Sequence, residues 1–157
     1  VLRLLKEPIL ITSYGNVHER LKKLNKKEYT IKDVSEVIIE IRRSKLPDPE
    51  IKGNAGSFFK NPVINNELFS AIRKSFPDIP SFEHSGKRKK IPAAWLIDQI
   101  GLKGFEYKGA AVHINQPLVL INNGDASGQD LIELSQIIQQ KVNQQFGIHL
   151  DPEVTII

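Results

Sequence analysis

The 157-residue sequence contains no cysteine, no methionine and only one tryptophan. The lack of cysteine excludes disulfide bonds, thiolate catalysis and cysteine-ligated metals, and it agrees with a reducing compartment. A chain that begins at Val1 without any methionine cannot be a complete translation product with its own start codon. We therefore expect a fragment, a processed chain or a truncated form.

Membrane segments and common site signatures are also missing. No apolar run approaches the roughly 18 residues of a membrane-spanning helix, and segment 1–6 is too short for a signal peptide. There is no GxGxxG, no GxxxxGK[ST] and no metal-ligand spacing, and the four histidines lie far apart. We expect a soluble, cytoplasmic monomer with no metal and no membrane contact.

The charge balance favours an anionic partner. The sequence has 22 Lys plus Arg against 18 Asp plus Glu, which gives a net charge of +4 and a pI near 9.3. A nucleotide diphosphate would satisfy this balance as well as nucleic acid would. The basic run 87–90 lacks interleaved aromatics, so we expect no nucleic-acid binding, and a non-catalytic basic nucleotide- or RNA-binding module stays the alternative.

The apolar periodicity predicts an α+β fold, with a small mixed sheet and packed helices rather than a regular βαβ repeat. Segment 78–92 is rich in Pro, Ser, Gly and charge, and we expect a loop whose tip carries the basic run. Helices are expected from Asn16 through Leu24, Thr30 to Ser44, Asn65 to Phe76, Ala93 to Gln99 and Ser127 to Phe146. Strands are expected at 8–15, 57–64, 110–113 and 118–122, with a strand-like tail at 148–157.

The glycine-containing segment 53–62 offers a hydroxyl, an ammonium and an amide beside two phenylalanines. Its glycines allow a ligand to approach the backbone, although a structural turn explains the pattern equally well. Ser57 has no His or Lys in a nucleophile-elbow pattern, so a serine hydrolase is not expected. A serine hydroxyl can, however, donate a proton to a strongly basic carbanion at hydrogen-bond distance.

Other polar residues have a functional and a structural interpretation. Glu153 follows Pro152 in an apolar tail, where partial burial would let a carboxyl act as an acid, but a solvent-facing turn carboxylate fits the pattern better. Lys45, Lys60 and Lys103 border apolar or glycine-marked segments, where lysines often only extend to water. Trp95 is expected in the core rather than as a stacking platform.

The same residues resemble the UDP-N-acetylenolpyruvoylglucosamine reductases, flavin enzymes of peptidoglycan precursor synthesis. The strongest signature of that family, GNAGSFFKNP, stands uninterrupted at 53–62. Further matching stretches are Ser13-Tyr-Gly15, Arg42 with Lys45-Leu-Pro-Asp-Pro49, Trp95-Leu-Ile-Asp-Gln99, Leu102-Lys-Gly104, Gly109-Ala-Ala-Val-His113, Leu118-Val-Leu-Ile-Asn122 and Asp151-Pro-Glu-Val154. The resemblance covers nearly the whole chain in order.

The resemblance implies a reaction and its residues. Reduced FAD, recharged by NADPH, would add hydride to the enolpyruvyl double bond of UDP-N-acetylglucosamine enolpyruvate. Ser57 would protonate the adjacent carbon, and Glu153 would stabilise the enol-like intermediate. The implied substrate-binding residues are Tyr14, Lys45, Asn61 and Gln116, with Lys103 as a further candidate for the diphosphate.

One position departs from the family pattern. The family form with this loop commonly has a tyrosine that touches the diphosphate, and Phe82 stands at the matching position. Because phenylalanine lacks the hydroxyl, we expect that contact to fall to His84 or to the basic tip at Lys87.

The resemblance also implies how the chain is divided. Residues 1–46 would be the end of the flavin-binding region with its linking helix, 47–150 the C-terminal substrate-binding domain, and 151–157 a terminal strand that returns toward the flavin domain. The flavin-binding loops belong to an N-terminal domain that this sequence lacks. No cofactor-binding residue is therefore expected here, and the chain alone should be inactive.

Overall fold

The structure is a computed structural model, and it describes residues 3, 5–13 and 15–156. The chain separates into two compact units, Val1–Lys45 and Leu46–Ile157. Its elements in chain order are α1 (Val17–Lys22), α2 (Ile31–Lys45), β1 (Asn54–Ser57), β2 (Val63–Asn65), α3 (Asn66–Ser75), β3 (Phe82–His84), β4 (Arg88–Lys90), α4 (Ala93–Gln99), β5 (Glu106–Tyr107), β6 (Ala110–Val112), β7 (Val119–Asn122) and α5 (Gly128–Phe146).

The first unit consists of α1 and α2, which pack together through Val17, Leu21 and Val37. The predicted capping box at the start of α2 is confirmed. The Asp33 carboxylate accepts a hydrogen bond from the Thr30 N–H at 2.8 Å, and the Thr30 hydroxyl accepts one from the Asp33 N–H at 3.2 Å. These bonds satisfy donors that the first helical turn would otherwise leave unpaired.

The strand predicted at 8–15 is wrong for residues 8–13, which have no regular secondary structure. Ile9 and Ile11 are 79% and 80% exposed, whereas the prediction had them buried. A strand needs a hydrogen-bonded neighbour, and the described part of the first unit contains no other strand. The apolar pattern by itself could not show that this neighbour is missing.

The second unit contains two antiparallel sheets, in the strand orders β1-β7-β6-β5 and β2-β4-β3, and the α+β class is confirmed. One face of the larger sheet packs on the helices to form the core. Core side chains include Ala110, Val112 and Leu120 from the sheet and Leu96, Leu134, Ile138 and Val142 from the helices. The predicted strand 57–64 is split between β1 and β2, because Phe58 and Phe59 both turn into this core.

The helices of the second unit follow the sequence closely. α5 begins with the predicted capping box of Ser127 and Asp130, and it ends at Gly147, whose φ of 65° is the left-handed value that glycine adopts without strain. Trp95 lies against Phe76 and Phe146, with ring centroids 5.8 and 5.9 Å apart. The prediction that Trp95 belongs to the core is therefore confirmed.

The loop predicted at 78–92 is wrong, because this segment contains the hairpin β3–β4 with a turn at 85–87. The turn places Gly86 and Lys87 at φ values of 72° and 56°. Only Lys87 lies at the tip, and the rest of the basic run forms β4, the central strand of the smaller sheet. All three residues of β4 are basic, and Phe82 is the one apolar residue of β3, so the apolar alternation that reveals other strands is absent.

Candidate active site

The first feature of the site is an irregularity in β1. Asn54 pairs with Ile121 and Ser57 pairs with Val119, so β1 uses one residue more than β7 between these two pairs. This is a β-bulge, and Gly56 provides its left-handed backbone with a φ of 74°. The Gly56 N–H donates to the Asn54 side-chain oxygen at 3.0 Å. The bulge therefore turns Ser57 to the same face of the sheet as Val119.

That face carries a small apolar patch with a polar residue on each side. Ala111, Val119 and Ile121 are buried there, at 2%, 0% and 4% exposure. Ser57 pairs with Val119 on one side, and on the other the His113 N–H donates to the Val119 carbonyl at 2.9 Å. Because adjacent strands lie about 4.8 Å apart, the Ser57 and His113 backbones are roughly 10 Å apart.

His113 also lies on this face, and it was not among the predicted site residues. Its Nδ1 atom is buried and has no hydrogen-bond partner among the described residues. Burial, followed by the charge of Lys52, lowers the pKa of the imidazole below its ordinary value of 6.5. The ring is therefore largely uncharged at neutral pH, and one of its nitrogens is available as an acceptor.

The backbone of Glu153 is hydrogen-bonded to Phe58, the residue after Ser57, although the two segments are far apart in the sequence. The tail pairs antiparallel with 58–60: Phe59 bridges Pro152, the Lys60 N–H donates to the Asp151 carbonyl at 2.9 Å, and the Glu153 N–H donates to the Phe58 carbonyl at 2.8 Å. Both Ser57 and Glu153 are exposed. A hydroxyl and a carboxylate thus come from neighbouring, hydrogen-bonded backbone segments.

Asn61 is fixed by the start of α4. Its side-chain oxygen accepts a hydrogen bond from the Ala93 N–H at 2.8 Å, whereas the Pro92 side chain cannot cap the helix. This bond sets the orientation of the carboxamide, because the oxygen must face Ala93. The NH₂ group is then directed elsewhere and is available to donate to a ligand acceptor.

Gln116 and Lys103 lie at the end of the larger sheet that carries Ser57. The Gln116 carbonyl accepts from the Val119 N–H at 2.9 Å, in the turn between β6 and β7. The neighbour of Lys103 on the chain, Gly104, donates its N–H to the Val112 carbonyl at 3.0 Å. The Lys103 ammonium is 2.6 Å from the Asp98 carboxylate, so its charge is already paired.

The remaining predicted residues do not belong to the second unit as the structure describes it. Lys45 is the last residue of α2 and belongs to the first unit. Tyr14 lies outside the residues that the structure describes. Ser57, Glu153, Asn61, Gln116 and Lys103 therefore make up the part of the predicted site that the second unit contains.

The described residues contain neither a metal-binding cluster nor a membrane-spanning helix. No group of three or more His, Cys, Asp or Glu side chains there is arranged to hold a metal ion. Among the helices of the described ranges, none is both long and apolar enough to span a bilayer.

Comparison with known proteins assigns the family. The family model described as UDP-N-acetylenolpyruvoylglucosamine reductase, C-terminal domain, matches residues 48–157. The enzyme of that name from Flavobacterium johnsoniae is 48% identical over 146 residues, which are 93% of this chain and 43% of its own length. The one from Pasteurella multocida is 48% identical over 156 residues, 99% of this chain and 45% of its own. The chain belongs to the UDP-N-acetylenolpyruvoylglucosamine reductase family.

The chain spans less than half the length of these curated relatives. A crystal structure of UDP-N-acetylenolpyruvylglucosamine reductase from Thermus caldophilus aligns with 82% of this chain and 36% of its own, at 23% identity and a TM-score of 0.49.

Proposed function

We propose that this chain is the substrate-binding part of an oxidoreductase that converts UDP-N-acetylglucosamine enolpyruvate into UDP-N-acetylmuramate for peptidoglycan synthesis. One observation supports the proposal: the tail pairs with residues 58–60, and the Glu153 N–H donates to the carbonyl of Phe58, the residue after Ser57. The names of the relatives support the reductase family. The substrate is a nucleotide sugar, and we accordingly propose a cytoplasmic location.

The residues of this chain fit one wall of a flavin site. Ser57 is exposed on a sheet face, where a planar ring would have a surface to pack against. FAD reduced by NADPH, when bound, would supply hydride for one carbon of the enolpyruvyl double bond. We propose that the remaining walls and the FAD-binding loops belong to a part of the enzyme outside this chain.

The chain's own chemical step is proton delivery. When hydride adds to one carbon of the double bond, the electron pair shifts to its neighbour, and that carbon becomes a strong base next to a carboxylate. The Ser57 hydroxyl donates its proton to this carbon, which leaves a carbon–carbon single bond. The resemblance assigns Glu153 to the same step, as the group that stabilises the enol-like intermediate.

Substrate binding is proposed for Tyr14, Lys45, Asn61 and Gln116, with Lys103 as a further candidate. The fixed carboxamide of Asn61 supports its assignment, since its NH₂ group is free to donate to a phosphate oxygen. The pairing of Lys103 with Asp98 weakens its assignment, because a bound phosphate would have to compete with that carboxylate.

A chimeric enzyme tests the proposal. The aligned C-terminal part of the Pasteurella multocida reductase is replaced by this chain, and substrate-dependent NADPH oxidation is measured. We expect activity, and we expect Ser57→Ala to lower the turnover rate at least roughly 100-fold, since general acids contribute about 10²- to 10⁴-fold. NADPH should still bleach the flavin of this variant, because Ser57 acts only on the substrate carbon.

Two results with the chimera would contradict the proposal. An active chimera whose Ser57→Ala variant turns over within about threefold of the parent would remove Ser57 from the chemistry. A folded, flavin-loaded chimera that oxidises NADPH only at its substrate-free rate would remove the reductase assignment itself.

A further inference from the structure

The tail that carries Glu153 is held from two sides, and the proposed function uses only one of them. On one side, its backbone pairs with residues 58–60, the segment that follows Ser57. On the other side, the Gln139 side chain of α5 donates through Nε2 to the Leu150 carbonyl at 2.7 Å. A side chain from a helix is therefore bonded to the tail backbone shortly before Glu153.

Helix geometry places Gln139 opposite this part of the tail. Gln139 lies about two helical turns before Phe146, the last residue of α5, and each turn rises roughly 5.4 Å. Leu150 follows Gly147, at which the helix ends, by three residues, and three extended residues span about 10 Å. The tail therefore runs back along the last two turns of α5 and reaches the level of Gln139 at Leu150.

The Leu150 carbonyl lies on the side of the tail that faces away from 58–60. The next carbonyl, that of Asp151, accepts from the Lys60 N–H at 2.9 Å, and successive carbonyls of an extended segment point to opposite sides. Leu150 is buried in the core, where a carbonyl without a partner would be destabilising. The Gln139 amide thus takes the place of a neighbouring strand at this edge.

This bond supports the register of a short pairing. The tail and 58–60 share two backbone hydrogen bonds and the bridge at Pro152. A slip by one residue would exchange Pro152 and Glu153 between the two sides of the strand, because side chains alternate. Burial of Leu150 opposes such a slip, and the bond from Gln139 opposes it further, because it ties a backbone atom of the tail to a packed helix.

We infer that Gln139 is a positioning residue for the proposed reaction: by holding the Leu150 carbonyl, it sets the register in which Glu153 is presented next to the segment of Ser57. Gln139 acts through the tail backbone and not on the substrate itself. The inference rests on the proposed function, because that function gives Glu153 its role.

Amide hydrogen exchange of the full 157-residue chain tests the register. In Gln139→Ala, the Glu153 and Lys60 N–H groups, which join the tail to its partner, should exchange about tenfold faster, as for the loss of one hydrogen bond. The Val112 N–H, bonded elsewhere in the larger sheet, should keep its rate within about twofold. Gln140→Ala is the matched control, since the next residue of α5 is also a glutamine and its side chain is exposed.

The chimeric enzyme tests whether this register matters for the chemistry. Gln139→Ala should lower the turnover rate at least about tenfold, since misplacing a reacting group by 1 Å costs up to roughly 10²-fold. NADPH should still reduce the flavin within about twofold of the parent rate, because Glu153 acts only on the substrate. Gln139→Lys, which keeps a donor, should restore most of the turnover. In a Glu153→Gln background, Gln139→Ala should cause no further loss, because both changes act through one carboxylate.

The outcomes separate the inference from the proposed function. Unchanged exchange of the Glu153 N–H in Gln139→Ala would overturn the inference, and so would an equal loss of turnover with and without the Glu153 carboxylate. If Glu153→Gln lowers turnover and Gln139→Ala does not, the inference fails while the proposed function stands. If the parent chimera does not turn over the substrate, the proposed function fails and the inference fails with it.

A second variant covers the case in which Gln139→Ala does not fold. Gln139→Glu keeps the shape of the side chain, but its ionised carboxylate cannot donate to the Leu150 carbonyl at neutral pH. The same exchange and turnover results are expected from it, and circular dichroism verifies the fold of every variant.

Discussion

At the scale of single residues, the orientation of Ser57 depends on its neighbours in the glycine segment. Without the extra residue of the bulge, position 57 would turn toward the core face of the sheet, because side chains alternate along a strand. Gly56 supplies the left-handed backbone, and Asn54 holds it with a side-chain hydrogen bond at 3.0 Å. The two residues therefore act as positioning residues for the hydroxyl.

Gly56→Ala should strain this bulge. A Cβ at Gly56 would meet no atom within 4 Å, so the expected cost is backbone strain and not a clash. A left-handed conformation costs a residue with a Cβ about 1–2 kcal/mol. We expect a fall of that size in the free energy of unfolding, measured by urea denaturation.

Gly128→Ala is the matched control for this experiment. Its Cβ would also meet nothing within 4 Å, but Gly128 is the first residue of α5 and has no positive φ. Alanine is favoured over glycine in helices, so this variant should be neutral or slightly more stable. Equal stability of the two variants would show that Gly56 is not under conformational constraint.

At the scale of elements, the start of α2 is held by charge as well as by hydrogen bonds. The Lys26 ammonium is 2.5 Å from the Asp33 carboxylate. This bond, and then those from Thr30, lower the pKa of Asp33 from 3.8 to about 2. Ionisation of this carboxyl therefore increases the free energy of unfolding of the helix.

The first unit should accordingly lose stability in acid. A carboxyl with a depressed pKa contributes fully above its unfolded value of 3.8, and the contribution is lost as the pH falls through about 2. Thermal unfolding followed by NMR signals of α2 should show this loss between those values. Asp33→Asn should flatten the profile, and Lys26→Ala should move the loss to higher pH. Superimposable profiles for all three proteins would contradict this account.

The hairpin β3–β4 shows where element prediction failed. Apart from Phe82, every residue of β3 and β4 is polar or charged, and Lys89 is ion-paired with Glu83, so no apolar alternation marks the strands. Only the cross-strand register shows that Lys90 and Phe82 are neighbours. The helices were easier to predict, because capping residues and an apolar stripe are local signals.

At the scale of the whole molecule, the chain spans less than half the length of its relatives. We expect the purified chain alone to bind no FAD. After mixing with FAD and gel filtration it should be colourless, and it should not oxidise NADPH. The flavin-loaded chimera serves as the positive control. A yellow protein peak from the chain alone would mean that its own residues hold the cofactor.

The sequence by itself determined the family resemblance, the α+β class, the capping boxes and the candidate residues of the GNAGSFFKNP segment, because motifs and periodicity are local properties. Only the tertiary structure decided that the Glu153 backbone pairs with Phe58, next to Ser57, and that the bulge turns Ser57 toward the His113 face. These relations depend on which strands pair and in which register. Pairing between distant segments is set by burial across the whole fold, and no local pattern encodes it.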